Sequence, residues 1–580
     1  MNKVVAILLF FALLGGSALS AQDTPKPDPR TWKDSTEQFS IEAVFVKLSG
    51  DLVVLQPTGQ KEISIPLAKL SKADRQYVLI EVNRRFVSVT PSQDLAAIVQ
   101  RAAPNTTIVL EPGIYKLGPR PPYEQAVLIE KKRNLILTSR DAAKTQIELS
   151  ADTKFGFYIG SNNSDLKIQN LTIRGTPSAE PNTTAVGNYS GTTNVRRVQF
   201  SGLRVEQVTV GISVATDLTG VYQDVVVRDN IVSRTIGTEA GSGYGIHLSN
   251  GKNVTVSNNV IEAATRHSIY VARSALGSNV RVEKNLIINH DLKGKNPRWY
   301  NAALVCARSS DVTISHNLIV DPRAIAISVE RDGILGRPTR DNKVINNRVI
   351  GANYVGIWVV TGKPCLGLGN IIALNPKPAH PDWCCKVSFF DYPNGKPTSS
   401  SLVEPQARWK QATHVVELGG RLFVMTDGVL DMVTPGSWAY DTCPRRWDDV
   451  RGMVGLKNRS GKNKGRLYIV TGTGLHEVNP AGWDIRSSQG NWADATFVTT
   501  TAGYIHVLQG DVLHRLSPLS PDSEPKTAQW AGARWMFSMG SYLYLACNRG
   551  RFRLDPATLE GVQVGVTEPE TPDPTPPDDE

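Results

Sequence analysis

The 580 residues carry 64 Lys and Arg against 54 Asp and Glu, a net charge of +10, with 41% hydrophobic and 20% charged residues. That balance can bury cores and excludes a wholly disordered chain. The 48 Gly, 35 Pro and only 6 Met speak for turns and short strands over long helices, and a basic body favours anionic partners.

At the N-terminus, Asn2-Lys3 precedes an apolar run from Val4 to Leu14 and a small-residue stretch from Gly15 to Ala21. This is the pattern of a secretory signal peptide, residues 1–21. The run is shorter than the ~20 apolar residues of a membrane span. The expectation is a secreted, periplasmic or cell-surface protein with no transmembrane span, which sets nucleic acid aside as a partner. The 6 cysteines allow ~15 pairings. Cys365 with Cys384 or Cys385 is the natural local pair in an oxidising compartment.

Residues 30–85 read as a small β module. Alternation at Phe39, Ile41, Ala43 and Phe45, and again at Ile63, Ile65 and Leu67, predicts half-buried strands. Trp32 and Phe39 are expected to pack in its core. Ser71 followed by Asp74 predicts a helix N-cap and its partner. The series Arg30-x-Trp32, Phe39-x-Ile41-x-Ala43, Ile63-x-Ile65-Pro66-Leu67 and Leu70-Ser71-x-x-Asp74 resembles the Sla-one homology domain. That resemblance implies an SH3-like small barrel that docks short peptides or proteins. Glu37 stands where the family usually has Gly.

Residues 86–376 read as stacked coils. Thr90, Pro91 and Gln93 suit N-cap, N1 and N3 of a short capping helix, with Leu95, Ile98, Val99 and Ala102 on one face. A repeat of about 30 residues then follows: Ile168-Gln-Asn170, the degenerate Phe200-Ser-Gly202, Val227 to Asn230, Val256 to Asn259, Val282 to Asn285, Ile314 to Asn317 and Ile345 to Asn347. Such a period is the signature of a solenoid. The recurring Asn is expected to form an internal ladder that satisfies turn backbone. A second series runs through Gly156-Phe-Tyr158-Ile, Gly211-Ile-Ser213-Val, Gly245-Ile-His247-Leu, Ser268-Ile-Tyr270-Val, Ala303-Leu-Val305-Cys306, Ala326-Ile-Ser328-Val and Gly356-Ile-Trp358-Val, in which Tyr158, Ser213, His247, Tyr270, Val305, Ser328 and Trp358 stand between two apolar residues. Its flanking apolar residues point inward and its middle residues outward, which makes Cys306 a reduced core thiol. The region resembles the right-handed parallel β-helix superfamily with the pectin-lyase-like fold, which implies fold and leaves activity open.

Outward residues at one register form a column with a spacing of ~4.8 Å. Tyr158, Ser213, His247, Tyr270, Val305, Ser328 and Trp358 share it. Arg266 and His267 precede Tyr270, and Arg273 follows. An insertion carries His290, Lys293, Lys295, Arg298, Trp299 and Tyr300. Aromatics that stack on sugar rings beside cations that neutralise carboxylates fit an acidic polysaccharide. If the wall is catalytic, a lyase assigns Arg266 as neutraliser and His247, His267 or Tyr270 as base. Arg273, Lys293, Lys295, Arg298, Trp299, Tyr300 and Trp358 would bind substrate. Glu330 and Asp332 lack an obvious third acid, so inverting hydrolysis has little support. No cofactor is predicted, and metal dependence stays open.

Residues 405–562 repeat from Trp409, Trp447, Trp492 and Trp530, each copy holding short strands ending in Pro. Repeats near 40 residues read as blades of a small β-propeller, with the Trp residues in blade cores. Residues 377–404 read as a linker and 563–580 as a disordered, acidic, Pro-rich tail. The whole is an all-β protein that binds polysaccharide and protein partners without catalysis, the alternative being a polysaccharide lyase acting on an acidic glycan.

Overall fold

In the computed structural model the described residues are 29–57, 60–176, 183–188, 194–216, 220–237, 242–288, 302–330, 339, 341–360, 365–368, 370–374, 385–389, 409, 412–434, 439–456, 465–518, 526–539 and 541–564. The chain divides into a unit up to Arg85 and a unit from Phe86 onward. The signal-peptide pattern, Cys384 and the insertion with His290, Lys293, Lys295, Arg298, Trp299 and Tyr300 lie outside the described residues.

The first unit is a four-stranded antiparallel meander, Arg30–Lys33, Ser40–Ser49, Leu52–Pro57 and Ile63–Pro66, followed by a helix at Lys72–Val82. Ser71 caps that helix by accepting from the Asp74 backbone N–H, as the capping pattern predicts. The Asp74 carboxylate also binds Arg30 at 2.5 Å and accepts from Lys33 N–H at 2.7 Å, so one buried acid ties helix to first strand. Trp32 is buried, donates its indole N–H to the Ala43 carbonyl, and meets Tyr77 edge to face. Phe39 departs from the expected core position: it is 74% exposed. Its backbone is held in a turn by exchange with Asp34 before the strand begins, so the strand's alternation does not govern it. Glu37 lies in that turn at φ 57°. This left-handed conformation explains why a glycine suits the position.

In the second unit three parallel sheets of 10, 10 and 11 strands wind together. The first sheet (11 strands) ends at Leu366–Leu368. The second runs from Gly113–Leu117 to Ile371–Leu374, and the third from Gln125–Ile129 to Cys385–Phe389. The strand Cys385–Phe389 pairs with Val355–Val360, so the coil reaches into the expected linker. The capping helix is Leu95–Arg101, and its N-cap is Asp94, which accepts from Ala97 N–H. This corrects the expected start at Thr90. Thr90 and Gln93 instead close a turn of their own.

A continuous core fills the coils, with Ile246, Leu248, Ile269, Val271, Leu304 and Cys306 pointing in from the third sheet. The Asn ladder is internal and buried. Asn230, Asn259, Asn285, Asn317 and Asn347 each donate Nδ2–H to the Oδ1 of the next, at 2.8–3.0 Å, ending on Asn370. Each Oδ1 also accepts the preceding rung's backbone N–H, as Asn285 does from Asn259. Asn170 and Gly202 are not ladder members. They take the left-handed slot one residue earlier, at φ 54° and 63°, which Asp229, Asn258, Lys284 and His316 fill in later coils, and Leu203 holds the ladder position. Cys306, Cys443 and Cys547 are buried free thiols, and Cys365 is buried. The side chains of its suggested partners, Cys384 and Cys385, lie outside the described residues.

Four four-stranded antiparallel sheets follow, starting at Ala412–Leu418, Val450–Leu456, Ala495–Thr501 and Trp535–Met539. They are propeller-like, and Trp409, Trp447, Trp492 and Trp530 are buried among them. They also pack on the solenoid. Val260, Leu286, Ile288, Leu318 and Val320, all outward on the second sheet, share one cluster with Phe497, Trp535, Met536 and Leu543. Arg348 lays its guanidinium 3.7 Å from the Phe497 ring centre, and Glu262 pairs with Arg551 across the same junction.

Candidate functional site

The outward column of the third sheet is in register as Leu128, Tyr158, Gly187, Ser213, His247, Tyr270, Val305, Ser328 and Trp358. His247 and Tyr270 are direct neighbours, as expected. The rung at Gly187 was not legible, because Thr184–Asn188 lacks the Gly-apolar-x-Val pattern of the other copies.

A second column joins the first. Tyr244 precedes His247 by three residues, as His267 precedes Tyr270. A simple pleat would set positions three apart on opposite faces. The pairing is irregular here, skipping from Tyr244 to Ile246 and from His267 to Ile269, and the ring contacts place Tyr244 and His267 beside His247 and Tyr270. The result is a block of four stacked rings. His247 and Tyr270 have centroids 5.5 Å apart at 20°, Tyr244 and Tyr270 5.4 Å at 10°, Tyr244 and His267 5.6 Å at 14°, and His267 and Tyr270 5.3 Å at 18°. Tyr244 was missed in the sequence, although its spacing from His247 repeats that of His267 from Tyr270.

Both histidines are scarcely exposed, at 6% each. His267 Nδ1 lies 2.8 Å from the Ala302 carbonyl. A carbonyl only accepts, so Nδ1 carries a proton and donates it. His247 Nδ1 sits 3.4 Å from Ser213 Oγ, and that hydroxyl donates to the Asn188 carbonyl at 2.5 Å. With the Ser213 proton committed, His247 Nδ1 is the donor in this contact. Burial, reinforced by the Arg273 charge, lowers the His247 pKa to about 4, so the ring is neutral at neutral pH.

The cations frame this block. Arg266 is half-buried, with its guanidinium 5.4 Å from the Tyr244 ring centre. Arg273 is exposed and Arg308 half-buried. Tyr270 and Trp358 are half-buried and pack against the small apolar cluster of Val305, Ile325 and Val355. Glu330, on the strand of Ser328, accepts from the Ser328 hydroxyl at 2.7 Å. Burial raises its pKa, opposed by that bond and by Arg308 and Arg266. The structure thus brings His247, Arg266, His267, Tyr270, Arg273 and Trp358 to one wall. Among the described residues no group of three or more His, Cys, Asp or Glu is placed to hold a metal ion.

Comparison with known proteins agrees with both architectures. Residues 21–85 match SLA1 homology domain 1, and residues 124–375 match the right handed beta helix region. The actin cytoskeleton-regulatory complex protein sla1 of Schizosaccharomyces pombe is 40% identical over 68 residues, and that of Sclerotinia sclerotiorum 37% over 65. These matches cover 11% of this chain and only 5% and 6% of those proteins. Among solved structures, an alginate lyase from Paenibacillus is 17% identical, covering 51% of this chain and 98% of its own, with a TM-score of 0.39. A pectate lyase is 12% identical, covering 55% and 82%, with a TM-score of 0.34. These are likenesses of fold and carry nothing about reaction. No helix among the described residues is long and apolar enough to cross a membrane.

Proposed function

We propose that the outer wall of the third sheet binds an acidic polysaccharide without cleaving it, in an exported protein whose N-terminal module engages protein partners. The observation that carries this reading is the ring block itself. The side chains a ligand would meet are Tyr270, Trp358, Arg266 and Arg273, a stacking and cation set. The two imidazoles lie behind them, nearly closed to solvent. A histidine with a pKa of about 4 is also a weak proton acceptor near neutral pH. Export rests on the residue 1–21 pattern, and protein binding on the match of residues 21–85.

One observation favours the lyase reading instead: neutral His247 stands beside Tyr270, with Arg266 on the same side. Incubation with a panel of uronic-acid polysaccharides separates the two. Pull-down of glycan with no rise in absorbance from unsaturated products supports binding, with Tyr270→Ala weakening capture about tenfold. A rise abolished by His247→Ala or Tyr270→Ala would make the protein a lyase. Absence of both capture and product would remove the wall as a glycan site.

A further inference from the structure

We infer that the junction between the solenoid and the propeller-like sheets is a site for a small oxyanion, held on the guanidinium of Arg348, and that the bound ion clamps the two together. The outward column of the second sheet runs Ile231, Val260, Leu286 and Leu318, and its next rung is Arg348. Val260, Leu286 and Leu318 are buried under the last sheets. One more aliphatic side chain would complete that cover, and a cation stands there instead.

This cation has no acid. Its guanidinium lies 3.7 Å from the Phe497 ring centre and donates one N–H to the Thr496 carbonyl at 3.4 Å. No carboxylate of the described residues pairs with it, and burial brings its pKa down to about 10. A guanidinium carries five N–H donors in a planar fork, so most of them are left over. Its nitrogens are not among the polar atoms sealed from solvent without a partner, so the spare donors reach water. Burying an unpaired charge is costly, and an apolar side chain of similar size commonly serves stability as well or better. A half-buried fork with spare donors fits a counter-ion that enters from solution.

The neighbours do not supply that counter-ion. His414, near the start of the first propeller-like sheet, is kept neutral by burial and by the Arg348 charge, with a pKa of about 4. Its ring is taken up by the Arg451 carbonyl and the Thr413 hydroxyl. Arg451, at the start of the second sheet, has a buried Nε with no hydrogen-bond partner, and Asp449 pairs with the far end of its guanidinium at 2.7 Å. An oxyanion on Arg348 would therefore neutralise a charge that the docked sheets desolvate, and would bind the docked state in preference to an opened one.

The test uses the full chain, with sodium phosphate, sulfate or acetate titrated at an ionic strength held constant with sodium chloride. The readouts are the melting temperature and the rate at which limited proteolysis releases the C-terminal sheets. A recognised oxyanion should raise the melting temperature by ~3 °C at saturation and slow release about threefold. Response to acetate alone assigns a carboxylate, and response to phosphate or sulfate alone a tetrahedral ion, on the same fork. Arg348→Met keeps the bulk and drops the charge. It should melt above the parent without oxyanion and show neither response, so that the two curves cross. Arg348→Lys keeps the charge, loses the fork and should respond weakly. Equal responses in the parent and either variant would reduce the effect to general salt action and overturn the site, as would no response in the parent.

Discussion

The outer faces of the second and third sheets are both unusually poor in solvated side chains, for opposite reasons. On the second sheet one outward column changes character along its length. It reads Thr172, Arg204, Ile231, Val260, Leu286, Leu318 and Arg348. The polar start is solvated, and the aliphatic stretch is covered by the propeller-like sheets. On the third sheet the outward residues are rings and small residues beside cations, with one short aliphatic cluster of Val305, Ile325 and Val355 packed under Tyr270 and Trp358. Aliphatic outward residues on a solenoid therefore mark where the chain covers itself, because they offer area and no direction. Rings and guanidinium groups offer geometry and charge, and mark a place for something else.

The strongest way to break this comparison is Leu318→Asp. Leu318 is fully buried at the junction, and an unpaired carboxylate there should cost more than ~4 kcal/mol. Limited proteolysis should then release the C-terminal sheets while circular dichroism retains the solenoid. Continued protection would show that the aliphatic column is not what holds them.

Acid should act next. His247 and His506 are buried, and burial brings each pKa from 6.5 to about 4. The unfolded chain protonates these rings first, so full stability is present above pH 6.5 and is lost as pH falls toward 4. Each ring should contribute on the order of 3 kcal/mol to that loss. His247→Gln should flatten the dependence of the denaturation midpoint on pH relative to the parent. Parallel curves would place His247 in water.

A change in the core between the two faces should cost somewhat less and leave both intact. Asn285 accepts from Asn259 at the backbone and side chain, and donates to Val256, Glu283 and Asn317. Asn285→Ala should lower stability by about 3 kcal/mol in denaturant, without changing glycan capture per folded molecule. The smallest effect, of opposite sign, belongs to the N-terminal module. Glu37→Gly relieves a left-handed backbone and should stabilise that module by about 1 kcal/mol, read from its own melting transition.

Much was legible in the sequence because a solenoid converts period into contact. The Asn ladder, the inward Cys306 and the adjacency of His247 and Tyr270 all follow from counting residues between copies. What failed did so where local chemistry overrode the count. Asn170 occupies the turn slot because left-handed backbone accepts Asn as readily as Gly. Phe39 leaves the core because the Asp34 turn holds it before its strand starts. Tyr244 was hidden because strict strand alternation assigns it to the wrong face, while the pairing skips Gly245 and leaves its ring beside that of His247.

Sequence by itself determined the coil, its register and the residues on each flank, since hydrophobic period and turn chemistry are local properties repeated along the chain. Tertiary structure alone decided which outward residues are covered, that His247 is neutral and nearly closed to solvent, and that four rings form one block. Those depend on desolvation and on packing between distant segments. The Leu318 contact with the last sheet spans over two hundred residues, and no periodicity records it.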